Sequence, residues 1–226
     1  MNKQLTTTLI FALSAGSAMA MLDITLPGNS TQSNWANLNG DVYTEPTYPV
    51  FAGSFAIETD PFEAPIAADA GSAEFTKVSG GGLFFPLSFG GSLYNGNTPG
   101  TYTIYDNSPI AGLETVVFQT DAGSEMMVAP VLSFNSGAQN LAADFTASVT
   151  GDFDTTVYAF QWDLSGIFDT ISNYEIVWTT PPHNANYAMQ INAGDTFGQA
   201  IPEPSTYALI LGAACGALLL MRRQRR

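Results

Sequence analysis

Between residues 21 and 200 apolar side chains commonly recur at every second position, the period of a pleated strand, whereas a helix would place them at every third or fourth. In Thr155 to Trp162, Tyr158, Phe160 and Trp162 fall on one face, and Val157, Ala159 and Gln161 on the other. Tyr174, Ile176 and Trp178 repeat this against Glu175, Val177 and Thr179, and Tyr187, Met189 and Ile191 do so again. Earlier segments that read as strands are Val50 to Ile57, Gly82 to Leu87, Gly100 to Tyr105, Thr115 to Thr120, Met126 to Phe134 with Pro130 as a break, and Phe145 to Thr150. Turn clusters such as Ser79-Gly80-Gly81-Gly82, Tyr94-Asn95-Gly96-Asn97 and Asp106-Asn107-Ser108-Pro109 separate them. The pattern predicts an all-β fold, an antiparallel β-sandwich or jelly-roll-like domain of about nine to twelve strands. One exception is Asp163 to Thr170, where Leu164, Ile167 and Phe168 have helical spacing and predict a single helical or 3₁₀ turn. No internal repeat is visible: Leu87-Ser88-Phe89-Gly90-Gly91 and Leu132-Ser133-Phe134-Asn135-Ser136 are alike, but their flanks are not.

The two ends break this pattern. Lys3, an apolar run from Leu5 to Leu13 and the small residues closing at Ala18-Met19-Ala20 have the layout of a secretory signal over residues 1–20, cut by signal peptidase to leave Met21 as the mature N-terminus. A helix over that run would span about 14 Å against about 30 Å of hydrocarbon, too short for an anchor. At the other end, Ile201-Pro202-Glu203-Pro204-Ser205 precedes fifteen uncharged residues from Tyr207 to Met221 and then Arg222, Arg223, Gln224, Arg225 and Arg226. That stretch predicts a single short transmembrane helix of about 22 Å. The arginines keep their end cytoplasmic, so the domain over residues 21–200 is expected outside. Gly212 and Gly216, four apart, read as small residues of the span, and Cys215, the sole cysteine, lies within it.

The tail over residues 201–226 resembles the PEP-CTERM sorting domain, whose members are substrates of exosortase-type membrane enzymes. The resemblance implies that Pro202, Glu203 and Pro204 form the recognition motif, residues 207–221 the span, and Arg222, Arg223, Arg225 and Arg226 the cytoplasmic retention signal. It further implies an inner-membrane tether before sorting, and then a place in the outer envelope or the extracellular space. Phe160-Gln161-Trp162-Asp163-Leu164-Ser165, with Pro182-His183-Asn184 before Tyr187-Ala188-Met189-Gln190, also resembles a stretch of uncharacterised secreted proteins with the same tag, which supplies no activity.

Charge narrows the partners. From residue 21 to residue 201 there are nineteen carboxylates and one base, Lys77, a formal net charge of −18. Binding to phosphate backbones depends on Lys and Arg displacing counterions, so nucleic acid is excluded as a partner and anionic lipid is a poor one. Divalent cations and neutral sugars are compatible with such a surface. The domain has no cysteine and so no disulfide, and one histidine without an available thiol cannot make a zinc site of nitrogen and sulfur ligands.

Candidate chemistry is sparse. His183 follows Pro181-Pro182 without a nucleophile-elbow pattern and reads as a turn residue. Asp152 and Asp154, and Asp121 with Glu125, are weak calcium candidates that match no full calcium loop, so a structural calcium is the one cofactor in view. Glu175 has no second acid paired with it in sequence, although a glycosidase needs two carboxylates about 5 to 10 Å apart. Sugar binding favours exposed aromatic faces. Trp162 and Trp178 sit on core-like faces, which leaves Trp35, among Asn34, Asn37 and Asn39, as the expected carbohydrate contact. The expectation is a non-enzymatic cell-envelope or extracellular-matrix structural protein associated with exopolysaccharide. A carbohydrate-binding module is the alternative, and a secreted glycoside hydrolase ranks third.

Overall fold

The computed structural model describes residues 21–44, 61–150 and 155–201. Within them the chain forms β1 (Ser30–Trp35), β2 (Ile66–Ala67), β3 (Glu74–Gly80), β4 (Leu83–Phe85), β5 (Ser92–Tyr94), β6 (Gly100–Asp106), β7 (Thr115–Ala122), β8 (Val128–Phe134), β9 (Leu141–Ala142), β10 (Phe145–Thr150), β11 (Thr156–Asp163), β12 (Tyr174–Thr180) and β13 (Ala185–Gly194). One sheet has seven strands in the order β10-β11-β7-β13-β5-β4, with β1 also on β13. The ten-residue β13 divides its far side between β5, at Ala185 and Asn186, and β1, from Met189 to Gly194. The second sheet has six strands, β2-β3-β6-β12-β8-β9, and every pairing is antiparallel.

The sheets pack face to face around one aromatic-rich core, so the fold is all-β and sandwich-like. Trp178 of β12 lies 4.7 Å, ring centre to ring centre, from Phe118 of the opposite sheet, and 6.2 Å from Phe75 on its own. The alternation in β12 is realised without exception: Tyr174, Ile176 and Trp178 are buried, and Glu175, Val177 and Thr179 are half-buried on the other side.

Several sequence boundaries shift for local reasons. The strand expected through Leu87 ends at Phe85, because Pro86 leads into a 3₁₀ turn over Leu87–Phe89 that Gly90 closes at φ 97°. Pro130 does not break β8. Val177 pairs with Val131 and Thr179 with Val128, so Ala129 and Pro130 together oppose Trp178 in a bulge, a position where a missing N–H costs little. Asp163 to Thr170 makes no helix; the Asp163 carboxylate accepts the Ser165 N–H at 3.0 Å, a turn follows, and Phe168 is fully exposed. The expected strand Val50 to Ile57 lies outside the described residues.

A second, smaller apolar cluster covers the outer face of the seven-stranded sheet. Leu26, Val117, Ala159 and Ile201 are buried there, with Leu22, Ile24, Phe145, Ala147 and Ala200 packed around them. Two glutamine amides pin the chain segments that form it. Gln119 accepts from Leu22 N–H at 2.8 Å and donates to Leu22 carbonyl at 3.1 Å. Gln161 donates to Gly198 carbonyl at 2.7 Å and to Thr115 Oγ1 at 3.1 Å, and accepts from the N–H groups of Ala200 and Ile201 at 3.0 and 3.2 Å. Ile201, grouped with the tail by sequence, is thus fully buried in the domain. As a result β7 is buried along its whole length, on both faces.

Candidate functional site

The expected sugar contact, Trp35, is not exposed. As the last residue of β1 it pairs with Met189, whose side is the core side of β13. Its indole is fully buried, lies edge-on to Phe75 at 6.2 Å, and donates from Nε1 to the Ile66 carbonyl at 3.2 Å. The neighbouring asparagines that suggested a wet surface do other work: Asn39, itself buried, accepts the Asp41 N–H at 3.0 Å in a turn. Trp162 and Trp178 are buried as well.

The remaining sequence candidates are scattered. His183 is exposed in the left-handed conformation, φ 60°, with its N–H donated to Gly96 carbonyl at 2.7 Å and Nδ1 2.9 Å from the Tyr94 hydroxyl. No carboxylate is hydrogen-bonded to the imidazole to orient it as the acid of a triad would, and its ring partner is the Tyr94 phenol. Glu175 accepts from Thr103 Oγ1 at 2.8 Å on the solvent side of the six-stranded sheet. Asp121 is buried at the end of β7, and Glu125 is exposed beyond it. Among the described residues no three His, Cys, Asp or Glu side chains come together to hold a metal. Met21 is the first described residue; Ala18, Ala20, Asp152, Asp154, Pro202, Glu203, Pro204, Arg222, Arg223, Arg225 and Arg226 lie outside the described residues, as does the span 207–221. Among the described residues no helix is long and apolar enough to cross a membrane.

A site that sequence reasoning missed opens at one margin of the sandwich. It is a cleft of about 400 Å³ lined by Glu125, Met126, Ala129, Thr146, Ala147, Ser148, Tyr158 and Phe160. Its geometry follows from β10, the last strand of the seven-stranded sheet. Ser148 pairs directly with Tyr158, and Thr146 with Phe160, and directly opposed residues of an antiparallel pair share a face. Phe160 belongs to the main core and Tyr158 packs against it, so Thr146 and Ser148 stand on that same side of the sheet, where both remain exposed at the margin. The apolar residues of the strand face the other way: Phe145 and Ala147 join the outer cluster, and Phe145 stacks on Phe197 at 6.1 Å. Across the gap, β9 pairs only with Val131 and Leu132, leaving the first half of β8 uncovered by it. The margin therefore has an aromatic floor, a hydroxyl wall and one carboxylate on its rim. In size it falls within the range of small-molecule sites, roughly 300–1,000 Å³.

Electrostatics set limits on what enters. Lys77 is fully buried, its Nζ donating to Gly82 carbonyl at 3.1 Å and lying 5.2 Å from the centre of the Phe62 ring. Among the described residues there is consequently no exposed lysine or arginine. The strongly perturbed groups are core phenols rather than site residues. Burial pushes the Tyr102 hydroxyl far above its ordinary range, only partly offset by a hydrogen bond to Thr180. Burial likewise raises Tyr174, aided by the neighbouring Asp106 carboxylate. Tyr187 is raised by burial and then by Asp121. At the surface, hydrogen bonds from Asn29 hold the Asp195 carboxyl below its usual value.

Comparison with family models, with curated proteins and with solved structures returns no match to this chain.

Proposed function

We propose that this chain is an exported, non-enzymatic structural protein of the cell envelope or extracellular matrix, sorted by an exosortase-type membrane enzyme and associated with exopolysaccharide. The observation that carries the reading is the pairing of its two ends: a short apolar leader before Met21, and after Ile201 the sequence Pro202-Glu203-Pro204, an uncharged run of fifteen residues and an arginine cluster. Between them we read a jelly-roll-like sandwich, followed by a short C-terminal transmembrane helix. The charge supports an extracellular matrix role, because nineteen carboxylates and a buried lysine leave a surface that repels polyanions and stays soluble at high local concentration. Deleting residues 202–226, or removing the sorting enzyme, is expected to shift the protein out of the envelope fraction. Unchanged fractionation after both would contradict the proposal.

A second reading, a carbohydrate-binding module, is favoured by the cleft between β8 and β10 rather than by Trp35. The glycoside hydrolase reading gains nothing from Glu175, whose carboxylate is tied to Thr103 away from that cleft.

A further inference from the structure

We infer that the cleft at the β8/β10 margin binds a neutral pyranose unit of a polysaccharide. The inference deepens the carbohydrate-binding reading and rests on it, but is independent of the sorting tail. Three observations converge. Tyr158 is half-buried, with Phe160 beside it in the floor, and the CH face of a pyranose stacks on such rings. Thr146 and Ser148, spaced two apart along one strand, line the same space, and a hydroxyl both donates and accepts. Glu125 adds an acceptor on the rim, suited to the donor hydroxyls of a sugar diol.

The strand pattern argues that this face is built for a polar occupant. β10 has apolar residues available at Phe145, Ala147 and Val149, and a register shift of one residue would turn them inward to close the core. Instead they face out, and Thr146 and Ser148 stand opposite Phe160 and Tyr158. A lipid or other wholly apolar ligand would strip water from Thr146, Ser148 and Glu125 without replacing their hydrogen bonds. An anionic sugar would meet Glu125 with no exposed lysine or arginine among the described residues to balance it. A neutral sugar satisfies both faces of the cleft at once.

The test uses the full chain, purified in a zwitterionic detergent that carries no sugar headgroup. Cellohexaose, laminarihexaose, maltohexaose and mannohexaose are titrated by calorimetry, with an alginate hexamer as the anionic control. At least one neutral hexasaccharide is expected to bind, and the alginate hexamer to bind more weakly or not at all. Tyr158→Ala is expected to weaken that binding about tenfold, the loss of one stacking contact. Ser148→Arg, at an exposed position where folding is not at stake, is expected to fill the cleft and weaken it at least as much. Failure of all four neutral sugars to bind at about 10 mM would overturn the inference, as would tighter binding of the alginate hexamer, or neutral-sugar binding that survives Ser148→Arg. Envelope retention of the native protein is read separately, so a failed titration leaves the sorting proposal standing, and a failed fractionation leaves the cleft.

Discussion

In β12 the large side chains Tyr174, Ile176 and Trp178 enter the core and Glu175, Val177 and Thr179 face out, whereas in β10 the apolar Phe145 and Ala147 face out and Thr146 and Ser148 face in. Both strands alternate with the same period, so alternation reports that one face is apolar but not which side of the sheet will bury it. The difference lies in what stands on each side. β12 has a partner on both edges, β6 and β8, and an opposing sheet on its inner face. β10 is an edge strand, and its outer face is roofed by Phe197 and by the segments that Gln119 and Gln161 pin down. A strand at a margin can thus leave its inner face polar and open because a second cluster packs against the other.

The contrast can be broken at its core end first. Trp178→Ala should cost about 3–5 kcal/mol, since it empties space between Phe118 and Phe75 that neither sheet can collapse to fill; denaturant midpoints at constant slope would show it. Next comes alkaline pH. Tyr102 and Tyr174 have folded-state pKa values raised above about 10, the unfolded value, so the unfolded chain loses these protons first. Their contribution is complete below about pH 10 and falls above it by about 1.4 kcal/mol per pH unit for each buried phenol. Denaturant titrations at pH 9, 11 and 12 should approach that slope at the alkaline end, and Tyr174→Phe should lower it by one phenol's share.

A smaller effect is expected on the outer face. Gln161→Leu should cost about 1–3 kcal/mol, because the N–H groups of Ala200 and Ile201 lose their acceptor, and hydrogen exchange should quicken at residues 198–201 before the core strands respond. Smallest of all, Thr146→Val should change stability by less than about 0.5 kcal/mol, since its hydroxyl supports no packing. A loss as large as that of Trp178→Ala would show β10 to be ordinary core and erase the distinction.

Much of the fold is legible in the residues. The strands over Gly100 to Tyr105, Phe145 to Thr150, Tyr174 to Thr179 and Tyr187 to Ile191 stand within the observed ones, because period-two alternation between turn clusters leaves little else. β1 and β3 escape notice, since Ser30–Trp35 and Glu74–Gly80 carry mostly polar residues and gain their order from long partners, β13 and β6. Trp35 misleads for the same reason: polar neighbours along the chain say nothing about Met189 and Phe75, which reach it from elsewhere. The cleft has a signal, hydroxyls at Thr146 and Ser148 opposite an apolar row, but reading it requires the pairing of β10 with β11. Gln119 and Gln161 give none, as an amide that grips backbone looks in sequence like any polar strand residue.

The account rests on an exported domain, and intact-mass spectrometry of the native protein from envelope, medium and cytosol tests that most directly. It predicts a chain outside the cytosol that begins at Met21 and is lighter than the 24.0 kDa of residues 1–226. A 24.0 kDa species with Met1 intact, recovered from the cytosol, would contradict it.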